Sequence, residues 1–420
     1  MERTDYMKKK ICLVFACILT ALSIAGCSMS EQKEKVTLSV WASSQDQEVF
    51  GQMIDSFEEY YAEEADFEIT LCEEEEYNCK EAVLLSPAAA ADVYVFVDDQ
   101  KSDLVRKGAL LPVTIDTEKV IEENGGADSV AIDAASYEGT LYAYPLTASN
   151  GYFLYYNADY FTKEDVKSLE KMLDIAAENG KKFAMDFKSG WYLYSFFEAA
   201  GLDVYMNADG ETNTCEWNST DDSEGKYTGV EVTESLLRIA GHDGFLDAGT
   251  NEFVSGVRDG TIIAGVCGTW DANVMQQVYG DGYRACMLPS YQVAGDELQM
   301  HSVVGYKLVG VNAYTQEPEW SQRLAEWLTN EENQLLRFRA RGEGPSNVKA
   351  AASEMVQESE AISALNEQTR YGHLQSVTEP FWDASYQFGN IISAGNVSNL
   401  ELQDILDEMV EAASGTNDKK

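Results

Sequence analysis

The sequence predicts an α/β protein of two lobes, and three observations carry that expectation. The chain has 420 residues, more than one ordinary hydrophobic core takes up. Between residues 36 and 108, short β-branched runs alternate with helical periodicity, the spacing of a doubly wound parallel sheet. After residue 157 the alternation starts again, without an internal repeat. A hydrophobic content of 45% and only 7 prolines fit a globular chain.

The N-terminus is read first. Lys8-Lys9-Lys10 precedes an apolar stretch from Ile11 to Ala25, too short to span a bilayer and flanked like an export leader over residues 1–26. Met7 is an alternative start, since Glu2 and Asp5 sit oddly in a basic leader. Ile24-Ala25-Gly26-Cys27 resembles the lipobox of bacterial lipoproteins, which implies lipidation at Cys27. Residues 27–35 then read as a tether and residues 416–420 as a tail. No other apolar run is long enough to cross a membrane.

From Cys27 onward 26 basic residues face 70 acidic ones, a net charge of −44. Such a surface repels nucleic acid and polyanionic ligands and leaves neutral or cationic ones. Cys72, Cys79, Cys215, Cys267 and Cys286 are odd in number and irregular in spacing, so free thiols are expected; a Cys72–Cys79 bridge stays open.

Residues 36–41 (VTLSVW) form the first expected strand, followed by a helix over 45–64 with Val49, Met53, Phe57 and Tyr60 on one face. Strand 67–71, helix 78–85, strand 92–97 and helix 101–107 follow. The strands end in Trp41-Ala-Ser-Ser-Gln-Asp46, Cys72-Glu-Glu-Glu-Glu76 and Phe96-Val-Asp-Asp-Gln100, at the sheet edge where ligands sit. With no GxGxxG and no Walker lysine there, nucleotide binding is not expected. The second half predicts a helix over 163–179, a strand over 182–186 and a helix opening at Gly190-Trp191-Tyr192. Strand 261–266 leads into Gly268-Thr269-Trp270, residues 302–312 read as a strand, and everything beyond Glu317 reads helical. Within that helical part, PFWDASYQFG (380–389) places Phe381, Ala384 and Phe388 on one face, and Trp382 and Tyr386 on another.

Glu73–Glu76 reads as a solvated loop or helix start, because four adjacent carboxylates do not converge on one ion. Residues 207–216 echo a calcium loop, but Tyr205 stands at the first ligand position, so a hairpin turn is expected. His242, His301 and His373 are scattered without HExxH or a His/Cys grouping, so neither metal nor cofactor is expected. GxSxG is absent, and nothing singles out a carboxylate pair. The aromatics stand out: Trp41, Phe96, Trp191, Trp270, Trp382 and Tyr386 fall at strand ends or helix starts. Aromatic faces suit pyranose C–H faces, and Asp, Asn or Gln bond hydroxyls.

Five segments in order resemble the maltose/maltodextrin-binding type of sugar-binding protein from ABC importers. They are VTLSVWASS, ADVYVFVDDQKSDLVRKGALLPV, YEGTLYAYPLTASNGYFLYYN, FVSGVRDGTIIAGVCGTW and PFWDA. The resemblance implies a type II periplasmic-binding-protein-like fold, with interleaved α/β lobes and ligand in the cleft between them. The first lobe would take 36–146 and 304–350, the second 147–303 and 351–415. It implies ligand contacts by Phe96, Asp99, Trp191, Trp270 and Trp382. Asp46, Gln100, Asn150 and Tyr386 (with Ser149 and Ser189) stand where the family's other polar partners lie, and Asn78 and Cys79 replace a glutamate pair. These departures support a sugar but not maltose in particular. The expectation is a monomeric, non-catalytic, lipid-anchored receptor for a neutral oligosaccharide that serves an ABC permease. A receptor for a polyamine or basic peptide is the alternative, and a secreted glycoside hydrolase a lesser one.

Overall fold

The computed structural model describes residues 33–374 and 376–416; the leader, Cys27, most of the tether and the last four residues lie outside them. Strand β1 (Glu34–Ala42) buries Val36, Leu38, Val40 and Ala42, the alternation of a strand with one face inward. Helix α1 (Gln47–Tyr60) lays Val49, Phe50, Met53, Ile54 and Phe57 on that core. After β2 (Ala65–Glu73) and the short α2 (Cys79–Leu85), β3 (Val93–Val97) is buried at every residue. That continuous apolar run marks a strand covered on both faces. Then β4 (Ala143–Thr147) leads across to the second lobe.

There the chain builds β5 (Tyr152–Asn157), β6 (Lys182–Met185), α3 (Gly190–Ala199), β7 (Phe245–Asp247), β8 (Ile262–Gly268) and β9 (Tyr283–Cys286). It returns through β10 (Ser302–Val304) and β11 (Lys307–Val311) to α4 (Glu331–Arg341), then leaves again for β12 (Gly372–Leu374), α5 (Glu379–Ser393) and α6 (Leu402–Ala413). The first sheet has the order β2-β1-β3-β11-β4 and the second β7-β6-β8-β5-β9. Each has its own core, one including Val40, Phe57 and Val95, the other Phe183, Phe196 and Trp217. Trp217 stacks flat on Phe197, ring centroids 4.0 Å apart.

The sheets are mixed, not wholly parallel. β1 runs parallel to β2 and β3, but β11 runs against β3 and β4. The reason is the crossing: β4 leaves toward the second lobe and β11 enters from it. Other expectations also shift locally. The strand over 302–312 is broken at Gly305-Tyr306 into β10 and β11, and β12 interrupts the helical C-terminal part by pairing with β10. Residues 204–206 and 213–215 form the expected hairpin, its turn held by Asp209, which accepts from the Glu211 and Thr212 amides. The five cysteines among the described residues are free thiols, with Cys72 exposed. Glu76 is no solvated residue: it is buried and paired with Lys307 at 3.4 Å.

The crossings are bonded to one another. The Ala148 amide donates to Gly344 O (3.0 Å), the Asn150 amide to Gly305 O (3.2 Å), and the Gly344 amide to Ser149 Oγ (2.7 Å). Three separated stretches thus meet between the two sheets.

Candidate ligand-binding site

Where the strands of both sheets end, a cavity of about 360 Å³ opens between the lobes. Its size is that of a small-molecule site. Larger hollows of about 510 and 640 Å³ lie within the second lobe and draw no residue from the first.

The second-lobe wall is built around α3. Its first residue, Gly190, faces α5 so closely that a Cβ would stand 2.1 Å from Ser385 Oγ. Glycine therefore lets the first turn, with Trp191 and Tyr192, seat against α5 while lining the cavity. Tyr152 locks that turn from behind, its hydroxyl donating to Trp191 O at 2.7 Å and meeting Ser195 Oγ at 2.9 Å. A second ring comes from the turn after β8. Trp270 folds back over Gly268, where a Cβ would lie 2.0 Å from the indole, so only glycine admits that pose. Asn150, from the first crossing, completes the wall. Among the described residues, Asn150 Nδ2 and Trp191 Nε1 are buried and have no hydrogen-bond partner. A buried donor left unpaired costs about 1–3 kcal/mol, which an acceptor on a ligand would recover.

The first-lobe wall carries Tyr77, Glu75, Lys307 and Arg341. Beneath it lies a buried ion cluster. Arg337 donates to Asp46 at 2.7 Å and contacts Glu343 at 3.0 Å; Lys307 reaches Glu343 at 3.1 Å and Glu76 at 3.4 Å; Arg341 reaches Glu343 at 3.3 Å. Burial alone would neutralise Glu343, but Arg337, Lys307 and Arg341 outweigh it and hold the carboxyl well below its usual range. Burial likewise opposes the Lys307 charge, and Glu343 and Glu76 more than offset it. Three acids face three bases, so the cluster is locally balanced, and Glu75 adds one further carboxylate to that wall. On the opposite wall, burial pushes the Asp186 carboxyl above its ordinary range.

Outside the cavity lining, Lys80 pairs with Glu379 at 2.8 Å, and Arg106 donates to the carbonyls of Asp209 (3.2 Å) and Gly210 (2.5 Å). These contacts join the first lobe to the second.

The structure brings Asn150, Trp191 and Trp270 together around the cavity. It places the other expected contacts elsewhere. Phe96 is wholly buried in the first core beside Tyr94, so its ring offers the cleft no face. Asp46 is wholly buried beneath Arg337. Gln100 is committed to the backbone, accepting from the Lys80 amide and donating to the carbonyls of Glu76 and Tyr77. Asp99 is not in the lining and lies in the field of Lys80 and Glu379. Trp382 is half-buried over an adjoining crevice of about 20 Å³ shared with Trp191. Tyr386 is 49% exposed and lines neither hollow. The sequence reading missed Tyr77, Asp186, Tyr192, Lys307 and Arg341; the strand end at Asp186 and the helix start at Tyr192 were the signals that could have found those two.

The chain belongs to the bacterial extracellular solute-binding protein family, whose model matches residues 52–364. It is similar to the galactooligosaccharide-binding protein of Bacillus subtilis (strain 168), 24% identical over 387 residues and 87% of each chain. It is also similar to the maltodextrin-binding protein MdxE of the same organism, 24% identical over 377 residues and 86% of each chain. A solved structure with acarbose matches with a TM-score of 0.78 at 25% identity, covering 91% of this chain and 99% of the other. The fold is the two-lobed type II architecture of periplasmic binding proteins.

Proposed function

We propose that this chain is a lipid-anchored receptor on the outer face of a bacterial cell membrane that captures a neutral oligosaccharide and hands it to an ABC permease.

 Its task is binding and release, with no reaction of its own. The observation that carries this reading is the pair of buried, unpartnered donors, Asn150 Nδ2 and Trp191 Nε1, set beside the Trp191 and Trp270 rings. Donors without partners suit the oxygens of hydroxyl groups, and flat rings suit the apolar faces of a sugar. The ion cluster is balanced within itself and adds no net charge to draw a polyamine, which favours an uncharged ligand. The sugar-binding relatives support the same class of ligand.

Cys27 would carry the lipid and residues 27–35 the tether. Among the described residues no helix is long and apolar enough to cross a membrane. The same reading divides the chain into lobes at 36–146 with 304–350 and at 147–303 with 351–415, bounds that fall one residue inside the ends of β4 and β10. Titration calorimetry with neutral oligosaccharides, polyamines and short basic peptides tests the proposal. Heat from an oligosaccharide, at affinities on the order of micromolar, is expected. Heat from polyamines or peptides alone would overturn it, and so would turnover of a glycan.

A further inference from the structure

Two of the three histidines meet a buried carboxylate away from the interlobe cavity. His301 immediately precedes β10, His373 lies in β12, and Glu198 sits in the last turn of α3. The β10–β12 pairing sets Val303 opposite His373 and so brings the two imidazoles together. Their rings stack at 5.3 Å with a 12° tilt, and His301 Nδ1 lies 3.2 Å from His373 Nε2. Glu198 Oε1 stands 3.5 Å from the same His373 nitrogen. One ligand atom from each of the three residues lies within 4.8 Å of the others.

These spacings have a chemical meaning. A tetrahedral ion with bonds of about 2.0–2.1 Å holds its donor atoms about 3.3 Å apart. The 3.2 and 3.5 Å separations fall on either side of that value. Two imidazoles and one carboxylate suit zinc and its neighbours, whereas magnesium and calcium require oxygen ligands. The surroundings favour a cation as well. Glu198 is buried, with its Oε1 beside the His373 ring nitrogen. A bound cation would offset the cost of burying that carboxylate.

We propose that Glu198, His301 and His373 form a site for a divalent transition-metal ion of the zinc class, with an open fourth position. Sequence spacing hides it, because the three ligands come from three distant segments that only the fold assembles.

The test is calorimetric titration of the full-length, untagged chain with ZnCl₂ after treatment with a chelator. One ion per chain is expected. His373→Ala and Glu198→Gln should each weaken binding at least tenfold, while His242→Ala, at the remaining histidine beside Asp174, should leave it unchanged. Zinc should also raise the thermal midpoint of the wild-type chain and not that of His373→Ala, provided both show the same circular dichroism. Absence of zinc heat would overturn the proposal. Binding that survives both substitutions, or that calcium reproduces, would do the same.

Discussion

Asp46 and Arg337 form a buried ion pair in which Nη2 donates at 2.7 Å and Nε at 3.1 and 3.2 Å to one carboxylate. The two residues are 291 positions apart and join the loop after β1 to α4. Removing one partner of such a pair leaves the other charge buried alone, at a cost of about 3–5 kcal/mol. Asp46→Ala is therefore expected to lower the unfolding free energy by about that amount in equilibrium urea denaturation. The double variant Asp46→Ala/Arg337→Met should lose less than the two single variants together.

Trp191 and Trp270 line the cavity, whereas Trp382 lines only the adjoining crevice. Trp270→Ala and Trp191→Ala should each weaken oligosaccharide binding at least tenfold, about 1.4 kcal/mol or more. Trp382→Ala should weaken it less and act chiefly on stability, since its ring packs on the second core and on Phe381 at 5.0 Å. Calorimetry and denaturation on the same three variants separate the two effects.

Burial pushes Asp98 up to about 8, with the neighbouring Asp99 charge adding to it. A carboxyl raised in the folded state binds its proton more tightly there than in the unfolded chain. Its contribution to stability is thus fully present below the ordinary aspartate range, is lost as pH rises toward 8, and stays lost above that. Asp98→Asn removes the titration. It should be more stable than the wild type at pH 9, with the advantage shrinking toward pH 4, in denaturation curves recorded across that range.

The Lys80–Glu379 pair links the two lobes, and its glutamate is more than half exposed. Exposed pairs contribute about 0.2–1 kcal/mol. Glu379→Gln should leave global stability nearly unchanged and speed ligand release by about two- to fivefold, as read by stopped-flow fluorescence of the cavity tryptophans.

The sequence was most legible where one segment explains itself. The alternation of Val36, Leu38 and Val40 and the helical spacing of Val49, Met53 and Phe57 mark β1 and α1 without any partner in view. Trp191 and Trp270 were legible because each opens a helical turn just after a strand, where side chains meet the sheet edge. Phe96 sits at a similar strand end, but β3 is covered on both faces, so position along the strand did not reveal where its ring goes. Asp46 was misjudged for a different reason: its partner is remote in sequence, and nothing near it announces a buried arginine. Lys307 and Arg341 escaped notice because they reach the cavity only after the chain has crossed back.

The position of β11 has a consequence for how the protein comes into being. Among the described residues β4 pairs with no strand except β11, and β11 also borders β3, so the first sheet is incomplete until residue 311 is present. The second sheet draws all five strands from the continuous stretch 152–286. A chain emerging N-terminus first therefore has the second sheet able to pair while the first still waits with an open edge, and α5 and α6 cover the second core later still. Pairings this distant along the chain close slowly, and an unpaired strand edge invites association with other chains. The sheet that is begun first is the sheet that is closed last.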